Sequence, residues 1–136
     1  MEIFFCILLA ARFSYDDIRF RSMSVCEMTL ATAIAFFWKM ENTPRALIFL
    51  AFALVCYFFP LGVGEGDFWL VGIWAFFFGK FFCGTLIFTA ALFALLYAGG
   101  YFLRKKVYPK TIPFVPFLSI ALICQVILLD EVLFAW

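Results

Sequence analysis

The chain contains no histidine in its 136 residues. That excludes imidazole-based acid–base catalysis, Ser-His-Asp chemistry and His-rich metal sites. Charge is scarce as well. Asp, Glu, Lys and Arg make up 14% of the residues, against about a quarter in ordinary soluble domains. The formal net charge of +1 leaves no broad basic surface, so nucleic acid is not an expected partner. No C-x-x-C pair occurs, which argues against a zinc ribbon or a redox motif. Cys6, Cys26, Cys56, Cys83 and Cys124 are scattered in or beside apolar runs and read as inert packing residues. No repeat or low-complexity segment is visible.

What remains is apolar. The chain is 68% hydrophobic and 23% aromatic, with a mean hydropathy of +1.11. These values predict one domain, integral to a membrane. Six runs can be traced. The first covers Met1 to Tyr15 and is expected to run on through Asp17. It lacks the basic start and the small-residue cleavage site of a signal peptide. From Ile3 to Tyr15 it would span only ~20 Å of a ~30 Å hydrocarbon core, so an interfacial extension or a locally thinned bilayer is needed. The second goes from about Met23 to Trp38, interrupted by Glu27, and the third from Ala46 to Phe59, stopping at Pro60. The fourth runs from Phe68 to about Phe78, and the fifth ends at Leu103, with Gly99-Gly100 offering close helix contact. The sixth spans roughly Ile112 to Leu129, followed by Asp130-Glu131 and a short tail to Trp136. The expected fold is therefore all-α, a polytopic membrane protein of about six transmembrane helices.

Basic residues set the orientation. The first, third and fifth connections with their flanks hold seven: Arg12, Arg19, Arg21, Arg104, Lys105, Lys106 and Lys110. The other side holds three, Lys39, Arg45 and Lys80. The odd-numbered connections are thus expected in the cytoplasm and both termini outside. Asp16, Asp17, Glu65 and Asp67 then share the cytoplasmic face. The basic stretch Arg104 to Lys110 enforces this topology and suits anionic headgroups.

The stretch Gly62-Val63-Gly64-Glu65-Gly66-Asp67-Phe68 places a carboxylate at the start of a hydrophobic run. If the run is helical, Asp67 sits in its first turn, where free N–H groups and the helix dipole favour negative charge. By itself this fits a capped interhelical turn as well as a functional site. Two acids from separate helices at one membrane face are the minimum for aspartyl proteolysis. One takes a proton from a water held between them, and the other donates to the scissile carbonyl oxygen. Taken as a charge cluster alone, Asp16 and Asp17 would sooner pair with Arg19 and Arg21.

Asp17-Ile18-Arg19-Phe20-Arg21-Ser22-Met23 resembles the Asp-Leu-Arg-x-Arg-x-Ile-Pro segment of the type IV prepilin peptidases. Gly64-Glu65-Gly66-Asp67 is similar to the Gly-x-Gly-Asp motif of that wider class of membrane aspartyl proteases. Ile112-Pro113-Phe114-Val115-Pro116-Phe117-Leu118 resembles the family's Ile-Pro-Phe-Gly-Pro-Phe-Leu segment opening the last helix. The resemblance implies Asp17 and Asp67 as the catalytic pair, with Gly64 and Gly66 in support and no cofactor or metal. It implies a prepilin or pilin-like substrate, cut at the cytoplasmic face of a prokaryotic inner membrane after the glycine ending a short basic leader. Met23-Ser24 replaces the usual Ile-Pro, Val115 replaces a glycine, and Trp69 stands where a lysine is common. An amino-terminal loop with paired cysteines does not occur here, so peptidase activity without methylation is expected.

Asp67, at a helix start, is expected to be the more acidic of the pair. Glu27 is expected in an ion pair with Arg12 or Arg21, with substrate contact as the alternative. Glu65 is expected in solvent, where it would be positioned to attract a basic leader. Two other readings fit parts of the pattern. One is a presenilin-like intramembrane protease using Asp16, though a Pro-Ala-Leu segment and further spans do not occur. The other is a non-enzymatic membrane subunit or transporter whose acids bind ions or cargo.

Overall fold

Apolar runs without interior proline satisfy their backbone amides by bonding residue i to i−4. The computed structural model describes residues 1–59, 64–107, 109–110 and 112–133. The Pro60 stop, the Gly62-Val63 part of the glycine stretch and residues 134–136 of the tail lie outside the described residues. The order is α1 (Glu2–Phe20), α2 (Val25–Trp38), a 3₁₀ turn (Met40–Asn42), α3 (Thr43–Phe58), α4 (Glu65–Ala75), α5 (Lys80–Lys105) and α6 (Val115–Leu133). Among the described residues there is no strand. The first helix runs through Asp17 as expected, and the six helices match the six apolar runs.

Local sequence explains the ends. Ser24 caps α2 by accepting the Glu27 amide at 3.5 Å. Pro44 falls in the first turn of α3, where its missing N–H costs nothing. The first helix stops at Arg21, which takes a left-handed conformation (φ 55°) and donates its amide to the Asp17 carbonyl at 3.1 Å. Lys106 ends α5 in the same way (φ 57°). Such a φ costs a non-glycine residue ~1–2 kcal/mol, so each of these turns is held by its surroundings.

Successive helices run up and down. At one end, Lys39 Nζ meets Glu2 Oε1 at 2.8 Å, and Phe77 packs its ring against Phe5 and Trp38. Asn42 donates to the Phe76 carbonyl at 2.7 Å and closes the end of α4. At the opposite end α1 meets the start of α6. The α1–α6 seam is polar inside: Ser119 lies 2.7 Å from the Ser14 hydroxyl and donates to backbone carbonyls of Ala10 and Val115.

The fourth helix starts at Glu65 and ends at Ala75, earlier at both ends than its apolar run. At 11 residues it is ~16 Å long, and every residue from Leu70 to Phe76 is buried. It packs chiefly along α3, where Gly72 lets the helices touch. A β-carbon at Gly72 would stand 2.8 Å from Leu50 Cδ2 and 3.4 Å from its backbone nitrogen. The expected close contact at Gly99-Gly100 is not there: a β-carbon at either position meets nothing within 4 Å. That face of α5 points outward instead.

Large apolar side chains cover the outside of the bundle, including Phe37 (83% exposed), Phe88 (73%) and Leu95 (70%). Among the described residues one helix, Phe81–Lys105, is both long and apolar enough to cross a bilayer. Val25–Trp38 and Val115–Leu128 are apolar but shorter.

Replacing Gly72 by leucine is expected to force α3 off α4, because the added atoms meet backbone as well as a side-chain tip. Overpacking of ~1–3 kcal/mol should lower the melting midpoint by several degrees in tryptophan fluorescence. Unchanged melting would contradict the packing described here.

Candidate active site

Asp17 lies in the last turn of α1, beyond the apolar stretch Ile3 to Tyr15. Its Oδ2 accepts the backbone N–H of Val115 at 3.2 Å, and Val115 is the first residue of α6. A helix start presents free N–H groups, and here Pro113 and Pro116 have none to give. The carboxylate thus satisfies one of the few donors this turn has. Burial raises the Asp17 carboxyl above its ordinary value, while the Val115 amide and the charge of Arg21 pull it down.

Asp67 is the third residue of α4, ahead of the apolar run that begins at Phe68. Gly64 precedes the helix with an extended backbone (φ −66°, ψ 129°), and its carbonyl accepts the Asp67 amide at 3.1 Å. The carboxyl folds back over Gly64, where a β-carbon would lie 2.8 Å from Oδ2. At Gly66 a β-carbon would lie 2.6 Å from Met23 Cε, so this glycine admits the segment that follows α1. Both glycines are there for space, since neither has a positive φ.

Asp67 is 8% exposed. Its carboxyl is pushed up to about 7, first by burial and then by the nearby charge of Asp17, with the Gly64 amide acting in the opposite direction. The expectation that Asp67 is the more acidic member is therefore overturned. A helix start contributes ~0.3–1 kcal/mol to a first-turn charge, rising to ~2 in partly buried cases. Each pK unit corresponds to ~1.4 kcal/mol, so a rise from 3.8 to about 7 outweighs that contribution.

The two acids come from helices 1 and 4 and line one cavity of about 630 Å³. Arg21, Ser22, Glu65 and Trp69 also face it, and Trp69 Nε1 is anchored on the Thr32 hydroxyl at 2.9 Å. Glu65 is exposed, as expected for the variable position of its motif. Glu27 is in an ion pair rather than in the cavity wall. Arg12 bridges Glu27 Oε1 at 2.8 Å and Asp16 Oδ1 at 2.5 Å. Asp16 is thereby held, 6% exposed, by a partner other than Arg19 or Arg21. Arg19 reaches the Tyr15 hydroxyl and lies over the Tyr15 and Phe20 rings. Cys6, Cys56 and Cys83 are buried, Cys124 is half-buried and Cys26 is exposed; all are free thiols.

Among the described residues no three Cys, Asp or Glu side chains converge in a way that would hold a metal ion. The chemistry available is that of two carboxyls in unlike surroundings around one cavity. One is nearly enclosed and keeps its proton close to neutrality, and the other is half-open, raised less, and accepts the Val115 amide. Sequence reading missed the Val115 amide as Asp17's partner, although the prolines on either side marked the helix start that supplies it. No family model matches the chain, and neither a curated protein nor a solved structure shows significant similarity to it.

Because folding raises the Asp67 carboxyl from 3.8 to about 7, the folded chain keeps a proton that the unfolded chain releases between those values. This group's contribution to stability is full below about pH 4 and is lost as pH rises through about 7. Asp67→Asn has no such loss. Its melting midpoint should gain on the parent by roughly 5 °C or more between pH 4 and pH 8 in detergent. A difference independent of pH would rule out a buried, proton-holding Asp67.

Proposed function

We propose that the protein is a membrane aspartyl endopeptidase of the prepilin peptidase type. It removes a short basic leader from pilin-like precursors, cutting after glycine. One observation carries the reading: Asp17 and Asp67, 50 positions apart in sequence, line the same cavity, and the charge on Asp17 raises the Asp67 carboxyl. Three sequence motifs in the matching order add to it.

The roles follow from the surroundings of each acid. Asp17, ionised, takes a proton from a water held between the pair, and that water attacks the scissile carbonyl carbon. Asp67, protonated near neutral pH, gives its proton to the carbonyl oxygen. The tetrahedral diol then collapses. The C–N bond breaks, Asp17 passes its proton to the leaving amine, and Asp67 recovers one from the diol. Atoms and charges balance, and no cofactor takes part.

In this proposal the six helices lie in the inner membrane of a prokaryote with the Asp17–Asp67 end at the cytoplasmic face. The apolar exterior and the concentration of Arg19, Arg21, Arg104, Lys105, Lys106 and Lys110 at that end support it. The short α4 need not cross ~30 Å of hydrocarbon itself, because its neighbours surround it. A presenilin-like use of Asp16 is disfavoured by its pairing with Arg12. Transport is disfavoured too, since α4 below Asp67 is apolar from Leu70 to Phe76.

The purified full chain should cleave a precursor carrying a basic, glycine-ended leader. Asp17→Asn and Asp67→Asn should each lower cleavage by about a thousandfold or more, while Asp16→Asn should stay within about tenfold of the parent. Cleavage that survives in both Asp17 and Asp67 variants would sink the proposal. Loss confined to Asp16→Asn would transfer it to the presenilin-like reading.

A further inference from the structure

Asp67 belongs to the walls of two cavities. Besides the space it shares with Asp17, a second cavity of about 610 Å³ lies between α4, α5 and the approach to α6. Gly64, Asp67, Ile112 and Phe114 line both, so the two spaces adjoin at the same carboxyl. Their chemistry differs. The first presents Asp17, Glu65, Arg21 and Ser22 among apolar neighbours such as Met28 and Trp69, whereas the second is walled by Phe68, Val71, Ile87 and Leu118 with Lys110 beside them. Its α5 side is formed by two small residues, Ala91 and Ala94. The fifth helix packs along α6 and touches α4 only sparsely, which leaves this space open between them.

We infer that the apolar cavity receives the side chain following the cleaved bond, and that Ala91 and Ala94 set the size it accepts. This rests on the peptidase reading above, which puts the basic leader before the bond. A peptide bond held at the acid pair must send chain out on both sides. Asp17 and Glu65 outnumber Arg21 on the first side and Lys110 stands on the second, so basic leader residues are drawn to the first. The residue beyond the bond then meets the apolar walls. Selectivity in such a pocket is steep, since one methylene changes kcat/KM by roughly 10–200-fold.

The test uses the full chain in detergent and two precursor peptides that differ only in having Ala or Phe after the cleaved glycine. The quantity read is the Phe-to-Ala ratio of kcat/KM within each variant, from which any misfolded fraction cancels. Ala94→Leu should lower this ratio at least tenfold, and Ile87→Ala should raise it. Should Ala94→Leu cleave neither peptide, the smaller Ala94→Val and the enlarging Ile87→Ala are read by the same ratio. A ratio equal to the parent's in these variants overturns the inference while leaving the peptidase reading intact. A parent that cleaves neither peptide overturns both.

Discussion

The bond from the Val115 amide to the Asp17 carboxylate is the constraint on which the rest depends. It joins the first helix to the last and meets two needs at once. A half-buried carboxylate needs hydrogen-bond donors, and the start of α6 needs an acceptor. With Pro113 and Pro116 on either side, Val115 has one of the few amides available there. The left-handed Arg21 ends α1 immediately afterwards, so the chain turns away and Met23 comes down on Gly66. Asp17 is held in place, and Asp67 is brought to it.

The second constraint is the enclosure of α4. An 11-residue helix buried from Leu70 to Phe76 has to be coordinated by its neighbours, because its own length and periodicity do not fix its place. Gly72 permits contact with Leu50, Trp69 bonds to Thr32, and Asn42 satisfies the Phe76 carbonyl at the far end. In apolar surroundings each interhelical hydrogen bond contributes only ~0.6 kcal/mol on average. Their main effect is to fix how deep α4 sits, and with it the height of Asp67.

Much of this was legible in the sequence. Six apolar runs became six helices, and Asp67 fell in the first turn of its helix because Gly64 and Gly66 precede an unbroken apolar run. The Glu27 pairing with Arg12 was legible because a lone acid inside such a run needs a cation nearby. Two points were misread, for separate reasons. Gly99-Gly100 drew attention as a pair, yet the working contact is the single Gly72, and only the position of Leu50 on a neighbouring helix reveals it. The acidity of Asp67 was judged from the helix start alone. How deeply the carboxyl is enclosed depends on α1, α2 and the approach to α6, which no local pattern encodes.

The burial of Asp67 bears on the chemistry proposed for the pair. Were both acids placed alike, each at a helix start open to solvent, both would ionise, and the proton that the proposed cleavage requires at the carbonyl oxygen would be missing. Here the helix starts are shared out differently. Asp17 receives the amide of a helix other than its own, which favours the anion. Asp67 lies over its own helix start but is almost wholly buried, which favours the acid. The charge on Asp17 raises the Asp67 carboxyl further. The asymmetry needs neither a metal ion nor an imidazole. Burial raises both carboxyls, and the difference is one of degree: Asp17 is half-open and held by the Val115 amide and the charge of Arg21, whereas Asp67 is almost closed off.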